Sequence, residues 1–267
     1  MERLLVLRLE SVGIVAEASL NGVPLARTGG TLRTVTVPIH EYTLSGANVL
    51  ELVIQPPLPG QAAAPEPQLS DGQCGASLRL LLPRIGQLAH PENARTLAQV
   101  DWAPAAGVVT EVPHTIVHHV ELPIAFPRWR WLDVLPVAAA ADVLPQALAF
   151  VQALALGLAR GDPEPLVQAA RLRFEELAQA YQRSLVDDVG RFRVHLQQLH
   201  ARSPLQPVMP KAGGLLLRPL AGGRLLECLT PAGQPVLHSP LAAAAGGGQV
   251  AWPLRLALVE GRFYVLR

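Results

Sequence analysis

The sequence predicts an α+β protein: an N-terminal antiparallel β-sandwich, followed by helices packed on a C-terminal antiparallel sheet. Three observations carry this. Up to about residue 127, short runs with period-two alternation are separated by Gly, Asn and Pro. Across 143–200, apolar residues recur at spacings of three and four, the period of a helix. Beyond Pro210 the alternation returns, broken by Gly222-Gly223 and Glu260-Gly261. Helices followed by an antiparallel sheet make an α+β domain. The change of period between Trp131 and Val143 divides the chain into a sandwich domain at 1–133 and a helical-plus-sheet domain at 134–267.

Of the 267 residues, 50% are hydrophobic and 16% charged, so there is ample core and global disorder is excluded. A formal net charge of +1 argues against broad attraction to nucleic acid or an anionic membrane. Lys211 is the only lysine, and Ala, Leu, Pro and Gly abound, the mark of a GC-rich bacterial genome. Cys74 and Cys228 lie far apart; one disulfide is open to them, and two reduced thiols is the favoured reading. Cys228, in the run Leu225-Leu226-Glu227-Cys228-Leu229, packs as a small hydrophobe. The first residues lack the order of a signal peptide, so a cytoplasmic location is expected. The apolar stretch 143–159 is short for a bilayer, contains Gln146 and Gln152, and starts beside Asp142 and Pro145. It reads as a buried core helix, and no membrane span is expected.

In chain order, 4–10 alternates Leu5, Leu7 and Leu9 with Val6, Arg8 and Glu10, as a strand does. The next strand, 15–20, runs into Asn21-Gly22, a strong hairpin signal, and 23–27 returns. Gly29-Gly30 turns the chain into 33–39, and Ser45-Gly46-Ala47-Asn48 turns it into 49–54. A Pro-, Gln- and Ala-rich stretch, 57–75, reads as a long loop. Strands follow at 77–82, 95–102 and 115–124. These are about as many strands as a sandwich needs. Leu20-Asn21-Gly22, then Val35-Thr36-Val37-Pro38, then the run from Gly46-Ala47-Asn48 to Ile54 resemble the jelly-roll sandwich of the galactose-binding-like superfamily. The resemblance extends over residues 1–127. It implies a β-sandwich of the kind found as an accessory domain in glycosidases, some of which bind sugar.

The junction Arg128-Trp129-Arg130-Trp131 is the most unusual local sequence. If it is extended, the two tryptophans share one face and the two arginines the other. An exposed Trp pair could stack on a sugar or a partner surface. A buried pair, with the arginines outside, is the favoured expectation, because aromatic rings supply much of the buried area at packed seams. These four residues are the candidate ligand- or partner-binding set.

The helical region should open with Asp142 as a cap and Pro145 in its first turn, and pause at Gly161. It restarts at Asp162-Pro163-Glu164. From Leu166 through Phe174, Leu177, Tyr181, Phe192 and Leu196 to Leu199, one apolar stripe continues. Ser184-x-x-Asp187 favours a break in it. The stripe is expected against the following sheet, above all Leu225, Leu256, Leu258 and Phe263, because sequential elements are usually neighbours. Hairpins are expected at 215–229 and 254–266, with a turn at 231–234 leading into 236–238 and a small-residue loop at 242–248. Phe150, Gly157 and Gly161-Asp162, followed by a long helix and strands, are loosely similar to the α+β cone of nuclear-transport-factor and polyketide-cyclase relatives. That resemblance, over 138–267, implies a pocket inside the cone.

No catalytic or metal-binding residue stands out. His114 and His118 would share a strand face but stand about 13 Å apart, too far for one ion, with His119 pointing the other way. His195, Asp188 and Arg191 read as a solvated helix face. No phosphate loop, nucleophile elbow or Cys-x-x-Cys occurs. The expectation is therefore a non-enzymatic bacterial protein that works through another protein, such as a toxin-neutralising immunity protein or a secretion-system accessory protein. No cofactor and no nucleic acid are expected, and a homo-oligomer is left open. The alternatives are a carbohydrate-binding module using Trp129 and Trp131, and an enzyme with a pocket in the cone-like domain.

Overall fold

The computed structural model describes residues 4–29, 31–55, 74–104, 111–137, 143–242 and 247–267. Expectations for residues 1–3, Gly30, the loop at 56–73, the Asp142 cap and the loop at 243–246 lie outside these residues. The fold is α+β, with an N-terminal antiparallel sandwich and a C-terminal sheet carrying helices. Contacts divide the chain into two compact units, Met1–Arg128 and Trp129–Arg267. Trp129 to Asp133, grouped with the sandwich on sequence pattern, belong to the second unit by contacts.

The first unit contains β1 (Val6–Val12), β2 (Val15–Leu20), β3 (Val23–Thr28), β4 (Thr34–Pro38), β5 (Gly46–Gln55), β6 (Gly75–Pro83), β7 (Ala94–Trp102) and β8 (His114–Leu122). They form two antiparallel sheets, ordered β4-β1-β6-β7 and β3-β2-β5-β8. Alternation places the core. On β1 and β6, Leu7 pairs with Leu80 and Leu9 with Leu78, and all four are 0% exposed. On β2 and β5, Ala16, Ala18 and Leu20 oppose Ile54, Leu52 and Leu50, so the two alanines face larger residues.

The Asn-Gly turn forms as read. Asn21 and Gly22 have φ of 53° and 74°, the left-handed pair a tight hairpin requires. The Asn21 amide also donates to the Asn48 side-chain oxygen at 2.9 Å and to the Tyr42 carbonyl at 2.8 Å. Asn48, 1% exposed, accepts from the Leu44 N–H and donates to the Leu44 and Gly46 carbonyls. Gly46 to Asn48 lie in strand β5, so the turn expected there falls just before it.

The second unit contains α1 (Val143–Ala159), α2 (Glu164–Ala169), α3 (Arg171–Tyr181), α4 (Leu185–Arg202), β9 (Leu216–Leu220), β10 (Leu225–Leu229), β11 (His238–Pro240), β12 (Gln249–Ala251), β13 (Arg255–Val259) and β14 (Arg262–Val265). The sheet order is β14-β13-β10-β9, with β11 and β12 as a separate two-stranded ribbon. Local chemistry explains the helix ends. Gly161, at φ 70°, lets its N–H reach the Leu158 carbonyl and the Asp162 N–H reach that of Gly157, a complete Schellman cap. The Asp162 carboxylate then accepts from the Glu164 N–H at 3.0 Å. Gln182, at φ 50°, ends α3, and the Ser184 hydroxyl accepts from the Asp187 N–H to start α4.

The stripe joins the core of this unit only in part: Leu166, Ala170 and Leu196 are buried in the cluster that includes the sheet, Phe174 and Phe192 pack against it half-buried, and Leu177 and Tyr181 are half-buried. The central helix is α1, whose Ala147, Val151, Leu154, Ala155 and Leu158 are at most 2% exposed. They belong to one cluster with Leu217, Leu226, Cys228, Leu256 and Val265 of the sheet. The physical reason is the break at Gln182. It lets α4 return alongside α3, so the two halves of the stripe partly cover each other, with the Phe174 and Phe192 rings edge to face at 5.3 Å. Of the expected sheet partners, Leu256 and Phe263 join the core. Phe263 meets Phe150 of α1 at 5.8 Å, while Leu225 alternates away from Leu226 and lies outside that cluster.

Candidate functional site

The junction tryptophans are buried, Trp129 at 0% and Trp131 at 3% exposed, and Arg128 and Arg130 are exposed. The chain here is a short 3-10 turn, Arg130–Leu132, preceded by extended backbone at Trp129. A buried ring presents no face to a sugar, so the pair is not available as a stacking platform. What holds the turn is a carboxylate on α3. Glu176 accepts the Arg130 N–H at 2.5 Å, and the Arg130 guanidinium pairs with Glu175 at 2.5 Å. Glu176, 3% exposed, also pairs with Arg267. The Arg224 side chain donates to the Leu132 carbonyl at 3.2 Å.

Several other titratable groups are committed to structure. Arg218, Glu227 and Arg255 stand directly opposite one another on β9, β10 and β13. The Glu227 carboxylate accepts from Arg218 at 2.5 Å and from Arg255 at 3.2 Å. Burial pushes the Cys228 thiol up to about 12, with the Glu227 charge adding to the effect, so it is no nucleophile at neutral pH. Burial also raises Cys74. Asp188 is held by Arg183 and Arg191, and His195 is exposed on the same helix. On β8, His114 and His118 are half-exposed on one face, with His119 exposed on the other. Among the described residues, no group of three or more His, Cys, Asp or Glu could hold a metal ion.

The feature the second unit does assemble is an apolar cleft. Phe174 and Leu177 of α3, Phe192 of α4, and Trp252, Pro253 and Leu254 before β13 enclose about 190 Å³. Arg173 is the only titratable side chain among the described residues lining it. Phe192 is the α4 residue in its lining, and α4 is less covered towards its start. Along its stripe, Leu196 is 2% exposed, Phe192 and Val189 are half-exposed, and Leu185 is 39% exposed. Sequence reading found the helical wall of the cleft but missed Trp252 and Pro253. Their signal was a Trp-Pro pair closing the short run Val250-Ala251-Trp252-Pro253.

No family model, curated protein or solved structure matches the chain.

Proposed function

We propose that the protein is a non-enzymatic binding protein whose partner is another protein, with the α3–α4 cleft as the docking point. The observation that carries this is the cleft's size and lining. Small-molecule sites usually enclose about 300–1,000 Å³ and combine apolar walls with convergent polar groups. This cleft encloses about 190 Å³ and is walled by Phe, Leu, Trp and Pro. It suits one apolar anchor side chain, the form that energetic centres of protein interfaces take. The exposed Leu185 and the half-exposed Val189 extend the contact along α4. A bacterial, cytoplasmic immunity or secretion-accessory role is the class reading. Paired four-stranded antiparallel sheets support reading the first unit as galactose-binding-like, and helices over one sheet support a cone-like reading of the second.

The test is a photoreactive amino acid at position 185, used to cross-link and identify a partner, followed by calorimetry with that partner purified. Leu177→Glu should weaken binding at least tenfold with an unchanged circular dichroism spectrum. Undiminished affinity of the Leu177→Glu protein would place the interface elsewhere.

A further inference from the structure

A second pocket of the same unit shares no lining residue with the cleft. About 490 Å³ lies between the segment after α4 and the loop leading to β11, within the size range of small-molecule sites. Its walls are mainly aliphatic, Val208, Met209, Pro210, Pro231 and Val236, with Thr230 and His238 as further polar side chains. Val208 is 51% and Met209 41% exposed. The cation at the pocket is Lys211, the one lysine in the chain.

The pocket's backbone is braced on two sides. The Val208 N–H donates to the His238 carbonyl at 3.1 Å, and Gln152 of α1 donates to the Pro210 carbonyl at 2.9 Å. The His238 ring meets the Pro235 carbonyl at 3.0 Å through Nδ1. A carbonyl only accepts, so the Nδ1 proton of His238 is committed to that bond. One ammonium beside a mainly aliphatic wall matches a ligand with a single negative charge and a hydrocarbon tail. A phosphate ester would call for several converging donors. We propose that this pocket binds a medium-chain aliphatic carboxylate, with the carboxylate on Lys211 and the tail along Val208, Met209 and Val236.

The lone lysine makes the proposal directly measurable. Reductive methylation with carbon-13 formaldehyde labels Lys211 and the N-terminal amine, and it keeps the charge. Titration with butyrate, hexanoate and octanoate should give a saturable shift of the dimethyl-Lys211 resonance. Affinity should rise about fourfold for each methylene buried. Octanamide, of equal length but neutral, should bind at least tenfold more weakly. By calorimetry, Lys211→Met should lose octanoate binding, and so should Val208→Asp, which leaves the lysine in place. Each variant's thermal melt serves to check its fold. Equal binding of octanoate and octanamide would overturn the proposal. So would affinity independent of chain length, a Lys211 resonance unmoved by octanoate, or undiminished binding by folded Lys211→Met protein.

Discussion

The carboxylate of Glu176 and the guanidinium of Arg267 form an ion pair with each residue only 3% exposed. They are 91 positions apart in the chain. The other carboxylate oxygen takes the Arg130 N–H, so one side chain on α3 secures both the junction turn and the segment after β14. Removing one member of a buried pair strands the other charge, which typically costs about 3–5 kcal/mol. Glu176→Ala should therefore lower stability by that amount in urea unfolding. A Glu176→Leu, Arg267→Met double variant should lose less than the sum of its singles. A strictly additive pair of effects would show that the two groups do not stabilise each other.

Trp129 is 0% exposed. Truncating a core aromatic costs about 3–5 kcal/mol through lost transfer energy and the cavity left behind. Trp129→Ala should lower the melting temperature accordingly, and an unchanged melt would mean that the ring is not part of a packed core.

The ranking of the helices can be measured. Leu154 on α1 is 2% exposed, so Leu154→Ala should cost about 2–5 kcal/mol. Val194 on α4 is 49% exposed, and Val194→Ala should stay within about 0.5 kcal/mol. Comparable losses at the two positions would show that the Val194 face of α4 is packed rather than in water.

Glu10 supplies a pH dependence. The hydrogen bond from Arg8 holds its carboxyl below the ordinary value of 4.5; partial desolvation opposes this, and the charges of Arg8 and Arg79 reinforce it. A depressed carboxyl stabilises the folded state at pH values above its unfolded pKa, and the contribution is lost as pH falls through the folded value. Glu10→Gln should therefore narrow its stability gap from the wild type as pH drops below about 4.5, measured by thermal melts in acidic buffers. The site is largely solvated, so the gap is small and should shrink with salt. A gap that widens on acidification would reverse the assignment.

Much of the architecture was legible because it rests on neighbours in sequence. Asn21-Gly22 turns β2 into β3 because both residues accept a left-handed backbone. Gly161 ends α1 because a residue without Cβ can donate backwards there. Ser184 starts α4 through its own hydroxyl three residues ahead. Period-two alternation set Leu7 and Leu9 of β1 on one face with Leu5 just before it, and all three are buried in the sandwich, since a one-residue slip would turn each of them to water.

The sequence by itself thus determined most of the element types, several of their turns and caps, and the α+β order. The tertiary structure alone decided which helix became the core, where the cleft opened, and that Glu176 is buried. The apolar stripe through Phe174, Leu177 and Phe192 has a helical period whether it faces a sheet or another helix, so periodicity could not choose between them. The Gln182 break let α4 cover part of α3, while α1 and the buried stripe residues Leu166, Ala170 and Leu196 share one core cluster with the sheet. Glu176 reads as a surface residue because an isolated carboxylate belongs in water. Only Arg267 and the Arg130 N–H, distant in the chain and brought to it by folding, make its burial tolerable.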